Sequence, residues 1–229
     1  MEPLRKRGGI VSFLLVAILV VTPPAVISNI MLLRYLQDIA AGGPVDEARA
    51  EFIDTVQAIL GLAQLVLFVS CAIAFLMWIH RAHKNLKAAG IVGLEYTPGW
   101  AVGGFFVPFL NLVRPFQVMK EIWAGSEYLS ADPRPKIWRS VPPSPLVGWW
   151  WALFLVTSFL GNASGRLMLR ADELGELIAA GWVTLFSDLA DIPSSILAIL
   201  VVRRVTGFQE DARTRSAGNA GQTGGSRGL

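Results

Sequence analysis

The chain has 229 residues, of which 53% are hydrophobic and only 16% charged, with a formal net charge of +3. That is too apolar for one or two water-soluble domains, and long apolar runs place the chain in the membrane class. Its basic residues sit at the ends of those runs and gather on no single face, which argues against a nucleic-acid partner and for orientation in a bilayer. A single cysteine, Cys71, excludes an intrachain disulfide and a thiolate metal cluster. With two histidines as the only other soft ligands, no metal or cofactor is expected.

Residues 1–9 carry Arg5, Lys6 and Arg7 and read as a cytoplasmic N-terminus, followed by a first span over about 10–36. Pro23 and Pro24 predict a kink in it, because each removes a backbone donor and crowds the preceding turn. A basic start and an apolar run also begin a cleaved signal peptide, but here the apolar stretch continues past the prolines without a small-x-small site. Residues 37–51 are acidic and carry a Gly-Pro pair, which suits an external loop. The second span, about 52–79, places Asp54, Gln57, Gly61, Gln64 and Cys71 at helical spacing on one face, which must look at protein or water.

Basic residues Arg81, Lys84 and Lys87 then mark a return to the cytoplasmic side. The central element, 96–128, is apolar, yet prolines at 98, 108 and 115 and glycines at 99, 103 and 104 prevent one straight helix. Its part from 99 to 113 is too short to span comfortably and reads as a broken re-entrant or interfacial segment. Residues 116–128 predict an amphipathic surface helix with Trp123 and Tyr128 as interface anchors. Prolines at 133, 135, 142, 143 and 145 predict an extended cytoplasmic linker.

A third span covers about 146–164, opened by Trp149, Trp150 and Trp151, and a fourth about 177–202. The fourth repeats Gly181, Thr184, Asp188, Asp191, Ser195 and Ala198 along one small and polar face. Residues 207–229 lack the apolar surface to fold and read as a disordered cytoplasmic tail. The fold class expected is therefore an all-α integral membrane protein, a four-span domain over 10–206 with the broken segment between helices 2 and 3. With both termini and the 80–145 segment inside, 16 of the 20 Lys and Arg residues are cytoplasmic, leaving Arg34, Arg49, Arg166 and Arg170 outside.

Trp78, Arg81, His83 and Asn85 stand in a W-x-x-R-A-H-x-N-L run, followed by T-P-G-W-A-V-G with Pro98, Gly99 and Trp100. Pro108, Asn111, Arg114 and Pro115 then stand in P-F-L-N-L-x-R-P. Together these motifs resemble the signature of a bacterial membrane-protein family known as domain of unknown function 4328 (DUF4328), with looser likeness over roughly 50–205. The resemblance implies a multi-pass protein of the bacterial inner membrane and brings no catalytic residues.

Asp188 and Asp191, one turn apart near the middle of the fourth span, are the most pointed chemical feature. Carboxylates at bilayer depth must be neutralised, paired or hydrated, so they form a candidate proton or cation site with Gln64, Gln57 and Asn29 as neighbours. The other reading is interhelical hydrogen bonding in a bundle whose small residues let helices approach. His80 and His83 offer a headgroup or weak metal pair, or simply the solvated end of a span. Arg81, Arg114 and Lys120 are candidates for anionic lipid headgroups on the cytoplasmic face, or for orientation alone.

No Gly-x-Ser-x-Gly, no His-Glu-x-x-His and no phosphate-cradling glycine loop occurs. The expected function is a non-enzymatic scaffold, self-associating or bound to another membrane protein. The alternative is a small transporter or channel-like protein with its pathway at Asp188 and Asp191.

Overall fold

In the computed structural model residues 1–131, 137–142 and 144–225 are described, with side chains up to Gly218. Pro133, Pro135 and Pro143 of the expected linker lie outside the described residues, as do Arg134 and Lys136. Among the described residues six α-helices run in the order α1 (Arg5–Ala40), α2 (Glu47–Ala88), α3 (Pro98–Gly103), α4 (Arg114–Ser130), α5 (Pro145–Met168) and α6 (Leu174–Gly225). Two short 3-10 turns, Leu110–Leu112 and Trp138–Ser140, complete the order. Helices α1, α2, α5 and α6 are each long and apolar enough to cross a membrane.

Glycines end the first two long helices. Gly42, at φ +89°, donates its N–H to Ile39 O while Gly43 N reaches Asp38 O, so the left-handed residue satisfies two orphan carbonyls. Gly90 repeats the device for α2 at φ +80°, with Ile91 N bonded to Leu86 O and Gly90 N to Lys87 O. Helix α2 therefore continues nine residues past Ile79, and the motif from Trp78 to Leu86 lies in its last turns.

The chain divides into two compact units. One comprises residues 14–71 and 150–198, the apolar lengths of the four long helices. Its core cluster joins Leu32, Tyr35 and Leu36 of α1 to Ile53 of α2, with Leu174, Leu177 and Ile178 of α6 against it. Gly181 permits a close approach there, since an added Cβ would lie 2.7 Å from Leu33 Cδ2. Helix α2 stays largely uncovered, with 6% of its most apolar window buried.

The other unit comprises residues 1–13, 72–149 and 199–229. Its core holds Leu4, Val11, Trp78, Ile79, Leu86, Val118, Met119, Ile122 and Val147, all with essentially no exposure. Helix α4 runs through this core, which corrects the expectation of a surface helix. Its buried face includes Val118, Met119, Ile122, Trp123, Ser126 and Leu129, at the three-and-four spacing of a helix side. Trp123 is no interface anchor: it lies edge-on to Phe208 and donates Nε1–H to Glu127 Oε2 at 2.7 Å.

The C-terminal segment departs from expectation in the same way. Helix α6 continues through Gly207 to Gly225, and Gln209 and Ala212 are buried. Val201, Val202, Val205, Phe208 and Ala212 carry one apolar stripe past Arg203 and Arg204, and that stripe gives this part of the helix a core to join. A second close approach joins α1 to α6. A Cβ on Gly8 would lie 2.4 Å from Thr206 Oγ1 and within 3.3 Å of two further Thr206 atoms. Thr206 Oγ1 accepts from Trp78 Nε1 and would lose that bond by swinging away, so Gly8→Ala should destabilise the fold by about 1–3 kcal/mol in detergent unfolding. Gly9→Ala, whose methyl meets nothing within 4 Å, is the control that should raise stability by up to about 1 kcal/mol through helix propensity alone.

Candidate functional site

The last turns of α2 present a cluster of buried polar side chains. Asn85 is 2% exposed, and its Oδ1 accepts from Glu2 N at 3.1 Å while its Nδ2 donates to Glu2 O and to Gln209 Oε1, each at 2.9 Å. Gln209 of α6 is also 2% exposed and donates from Nε2 to Ala82 O at 3.0 Å and to Ser126 Oγ of α4 at 2.9 Å. Trp78 Nε1–H donates to Thr206 Oγ1 at 3.1 Å, and Arg81 forms an ion pair with Glu2. The N-terminal segment, α2, α4 and α6 are thereby tied at one place.

His83, read from sequence as belonging to a solvated span end, is instead fully buried, and its Nε2 lies 2.8 Å from Glu121 Oε1 on α4. The other carboxylate oxygen accepts from Glu95 N at 2.6 Å. A carboxylate at Glu121 accepts from a proton on His83 Nε2, the tautomer that leaves Nδ1 as a bare lone pair. That Nδ1 is the one buried side-chain polar atom without a hydrogen-bond partner among the described residues. A bare acceptor is the cheaper atom to leave unpaired; the opposite assignment would bury an N–H donor with nothing to receive it. His80 faces elsewhere, with Nδ1 3.1 Å from Pro98 O.

Glu121 also lines an open cleft of about 410 Å³, walled by Tyr96, Trp123 and Trp138 and bearing Lys120 and Arg139. Its polar groups are largely engaged within the unit. Tyr96 Oη bonds Gln117 Oε1 at 2.7 Å, Trp138 Nε1 bonds Val92 O at 2.8 Å, and Arg139 bonds Gly93 O at 2.7 Å.

Nearby, Glu210 of α6 accepts from Leu4 N at 2.6 Å and Arg5 N at 3.0 Å, fastening the start of α1. Burial alone would raise this carboxyl, but the bonds from Leu4 and Arg5 and the adjacent Arg213 guanidinium outweigh it and hold it below its ordinary 4.5. A depressed carboxyl stabilises the fold above the unfolded value and loses that contribution as pH falls through the folded one. Amide exchange at residues 4–8, relative to intrinsic rates, should therefore stay slow at neutral pH and accelerate only well below pH 4.5. Glu210→Gln should show the faster exchange already at pH 7.

In the unit formed by the apolar lengths, the carboxylates at 188 and 191 are half-buried. The Gln64 side chain of α2 lies beside Asp188, and Thr157 of α5, whose hydroxyl donates to Phe154 O at 3.1 Å, lies beside Asp191. Gln64 is thus beside the pair, whereas the other two expected neighbours lie elsewhere. Asn29 is buried and donates to Gly181 O at 3.2 Å, two turns before Asp188 along α6. Gln57 lines a separate cavity of about 250 Å³ with Tyr35, Ile53, Asp54 and Leu177. The periodicity that put Gln57 and Gln64 on one face of α2 is right, but they lie about 10 Å apart along the axis at 1.5 Å per residue.

The remaining motif residues shape the segment between α2 and α4. Thr97 caps α3 by accepting from Trp100 N at 3.3 Å, with Pro98 and Gly99 in its first turn. Gly104 lies against the stem of Arg114, where a Cβ would come within 3.0 Å. Pro108 and Asn111 are exposed around the 3-10 turn, and Pro115 opens α4 from a buried position.

Among the described residues, four apolar helices of membrane-crossing length, with a polar cluster tying the ends of three of them to α4, define the class of protein as all-helical and suited by length and composition to a membrane. Residues 41–207 match the family described as "Domain of unknown function (DUF4328)", and the chain belongs to that family. None of the curated proteins and none of the solved structures matches it. Gln209, Glu121 and Thr206, which bond signature residues, and Ser126, which bonds Gln209, escaped the sequence reading. Each stands within two residues of a charged side chain, in company where solvent exposure is the usual fate.

Proposed function

We propose that the protein is a multi-pass protein of a bacterial inner membrane, with both termini and the unit holding α4 on the cytoplasmic side, and that it works without catalysis as a scaffold or partner-binding protein. The observation that carries this reading is the use made of the signature. Trp78, Arg81, His83 and Asn85 direct their polar atoms to Thr206, Glu2, Glu121 and Gln209, so the motif knits helices together and presents no reacting group to a cavity. The distribution of Lys and Arg supports the orientation. Cross-linking in native membranes should recover the chain in complexes larger than the monomer; recovery of monomer alone would overturn the scaffold reading.

A second reading, transport of protons or small cations, is favoured by the contacts of Asp188 with Gln64 and of Asp191 with Thr157, which bring polar groups of three helices to one level. It requires that the double substitution Asp188→Asn and Asp191→Asn abolish a flux measured in vesicles containing the purified protein.

A further inference from the structure

The segment 98–113 exposes its apolar side chains while satisfying its own backbone. Trp100 is 60% exposed, Phe106 70% and Phe109 85%, with Leu110, Leu112 and Val113 also open. Six such side chains in one short segment make a patch that water disfavours. Yet the amides of Ala101, Gly104, Phe105, Phe106, Leu110, Asn111, Leu112 and Val113 all donate to carbonyls between Thr97 and Leu110. A water-exposed loop has no need of such closure, since solvent supplies partners, whereas a segment at membrane depth must close its hydrogen bonds within protein. Phe109 adds a positive φ of 63°, a backbone strain that a solvent-facing phenylalanine gives no reason to retain.

The position of the segment along α2 identifies what covers it. Phe105 packs edge-on to Phe75 with ring centroids 6.4 Å apart, and Pro98 O meets His80 Nδ1. Phe75 lies one turn inside the end of the apolar run that closes at Ile79, so the segment flanks α2 where hydrocarbon gives way to headgroups. Arg114 adjoins it, with its stem against Gly104, and Lys120 follows further along α4. The Arg114 guanidinium lies over the Tyr96 ring at 5.2 Å and Lys120 Nζ over the Phe116 ring at 5.4 Å. Among the described residues neither forms an ion pair with a carboxylate.

We infer that residues 98–113 insert as an apolar wedge into the leaflet beside α2, and that Arg114 and Lys120 hold the phosphodiester of an anionic phospholipid at its rim. Aromatic and aliphatic side chains enter the acyl boundary, and guanidinium and ammonium groups take the phosphate, as at interfacial segments generally. This rests on the long helices spanning a bilayer, and the controls below test that separately.

The full chain, with Cys71→Ser and single spin labels at 106, 109, 62 or 68, is reconstituted in nanodiscs of phosphatidylcholine with 30% phosphatidylglycerol. Labels at 62 and 68, on the exposed apolar face of α2, report the span. With the wedge inserted, all four positions collide more with oxygen than with a water-soluble nickel chelate. Labels at 106 and 109 open to nickel while 62 and 68 remain in lipid would overturn the wedge and leave the spanning reading intact. Nickel access at all four would overturn both.

For the phosphate site, the phosphatidylglycerol retained by purified protein is counted against phosphatidylcholine. Arg114→Gln with Lys120→Gln should lower the enrichment by at least about fivefold, the effect of roughly one surface cation on anionic lipid. Arg114→Lys with Lys120→Arg, which keeps both charges, should restore it. Equal retention by all three proteins would overturn the headgroup assignment, as would displacement of the lipid by inorganic phosphate.

Discussion

Replacing Gln209 by Leu should destabilise the protein by about 3–5 kcal/mol, because at a buried site each polar partner left without its bond costs about 1–3 kcal/mol. Three partners each lose a bond: Asn85 Nδ2 keeps only its bond to Glu2 O, while Ser126 Oγ and Ala82 O lose the Nε2 donor. Leu fills nearly the same volume, so the loss measures the polar contacts and not a cavity. Gln209→Glu should be as damaging, since a carboxylate cannot donate to Ala82 O. Unfolding of the purified protein, followed through its tryptophans in a denaturing-detergent titration, reads the difference. A change below about 1 kcal/mol would show that the cluster is peripheral to the stability of this unit. The same substitution should release the N-terminal segment, because Asn85, held by Gln209, receives Glu2.

The four long helices were legible because apolar runs of membrane length leave few alternatives, and the break between α2 and α4 was legible from Pro98, Pro108 and Pro115. The reading of Asp188 and Gln64 as neighbours came from two helical faces, each polar at a three-and-four spacing. What eluded the sequence was the fate of the helix ends beyond the apolar runs. Lys84 and Lys87 flank His83 and Asn85, and a segment so charged reads as solvated, yet only alternate faces of a helix meet water. The available signal was periodicity: Ala82, His83, Asn85 and Leu86 lie on one side of α2 while Lys84 and Lys87 lie on the other. Phe208 and Ala212 likewise continued the stripe of Val201 and Val205 into a stretch whose overall polarity suggested disorder. Gly125 carried a hint as well, since its missing side chain admits Leu86, whose Cδ1 would lie 2.9 Å from an added Cβ.

The pair of His83 and Glu121 should show the strongest coupling in the molecule. Glu121→Leu removes the acceptor for the His83 Nε2–H and for Glu95 N, leaving a buried imidazole donor and a part-buried amide unpaired, and should cost about 2–4 kcal/mol. His83→Leu leaves the carboxylate buried with only the Glu95 N–H, a comparable loss by the same reasoning. The double substitution removes the uncompensated charge and the imidazole together, and only the Glu95 amide, which reaches solvent more easily than a core imidazole, is left to find another partner. It should therefore be more stable than the sum of the singles implies by about 2 kcal/mol or more, the range seen for groups in direct contact. Additive losses in the same detergent titration would mean that the two side chains do not depend on each other, and that α2 and α4 are joined by apolar packing alone. A large coupling would locate the hydrogen bond between them as the contact that sets the register of α4 against α2, since Leu86 beside Gly125 tolerates sliding whereas a buried carboxylate facing an imidazole does not.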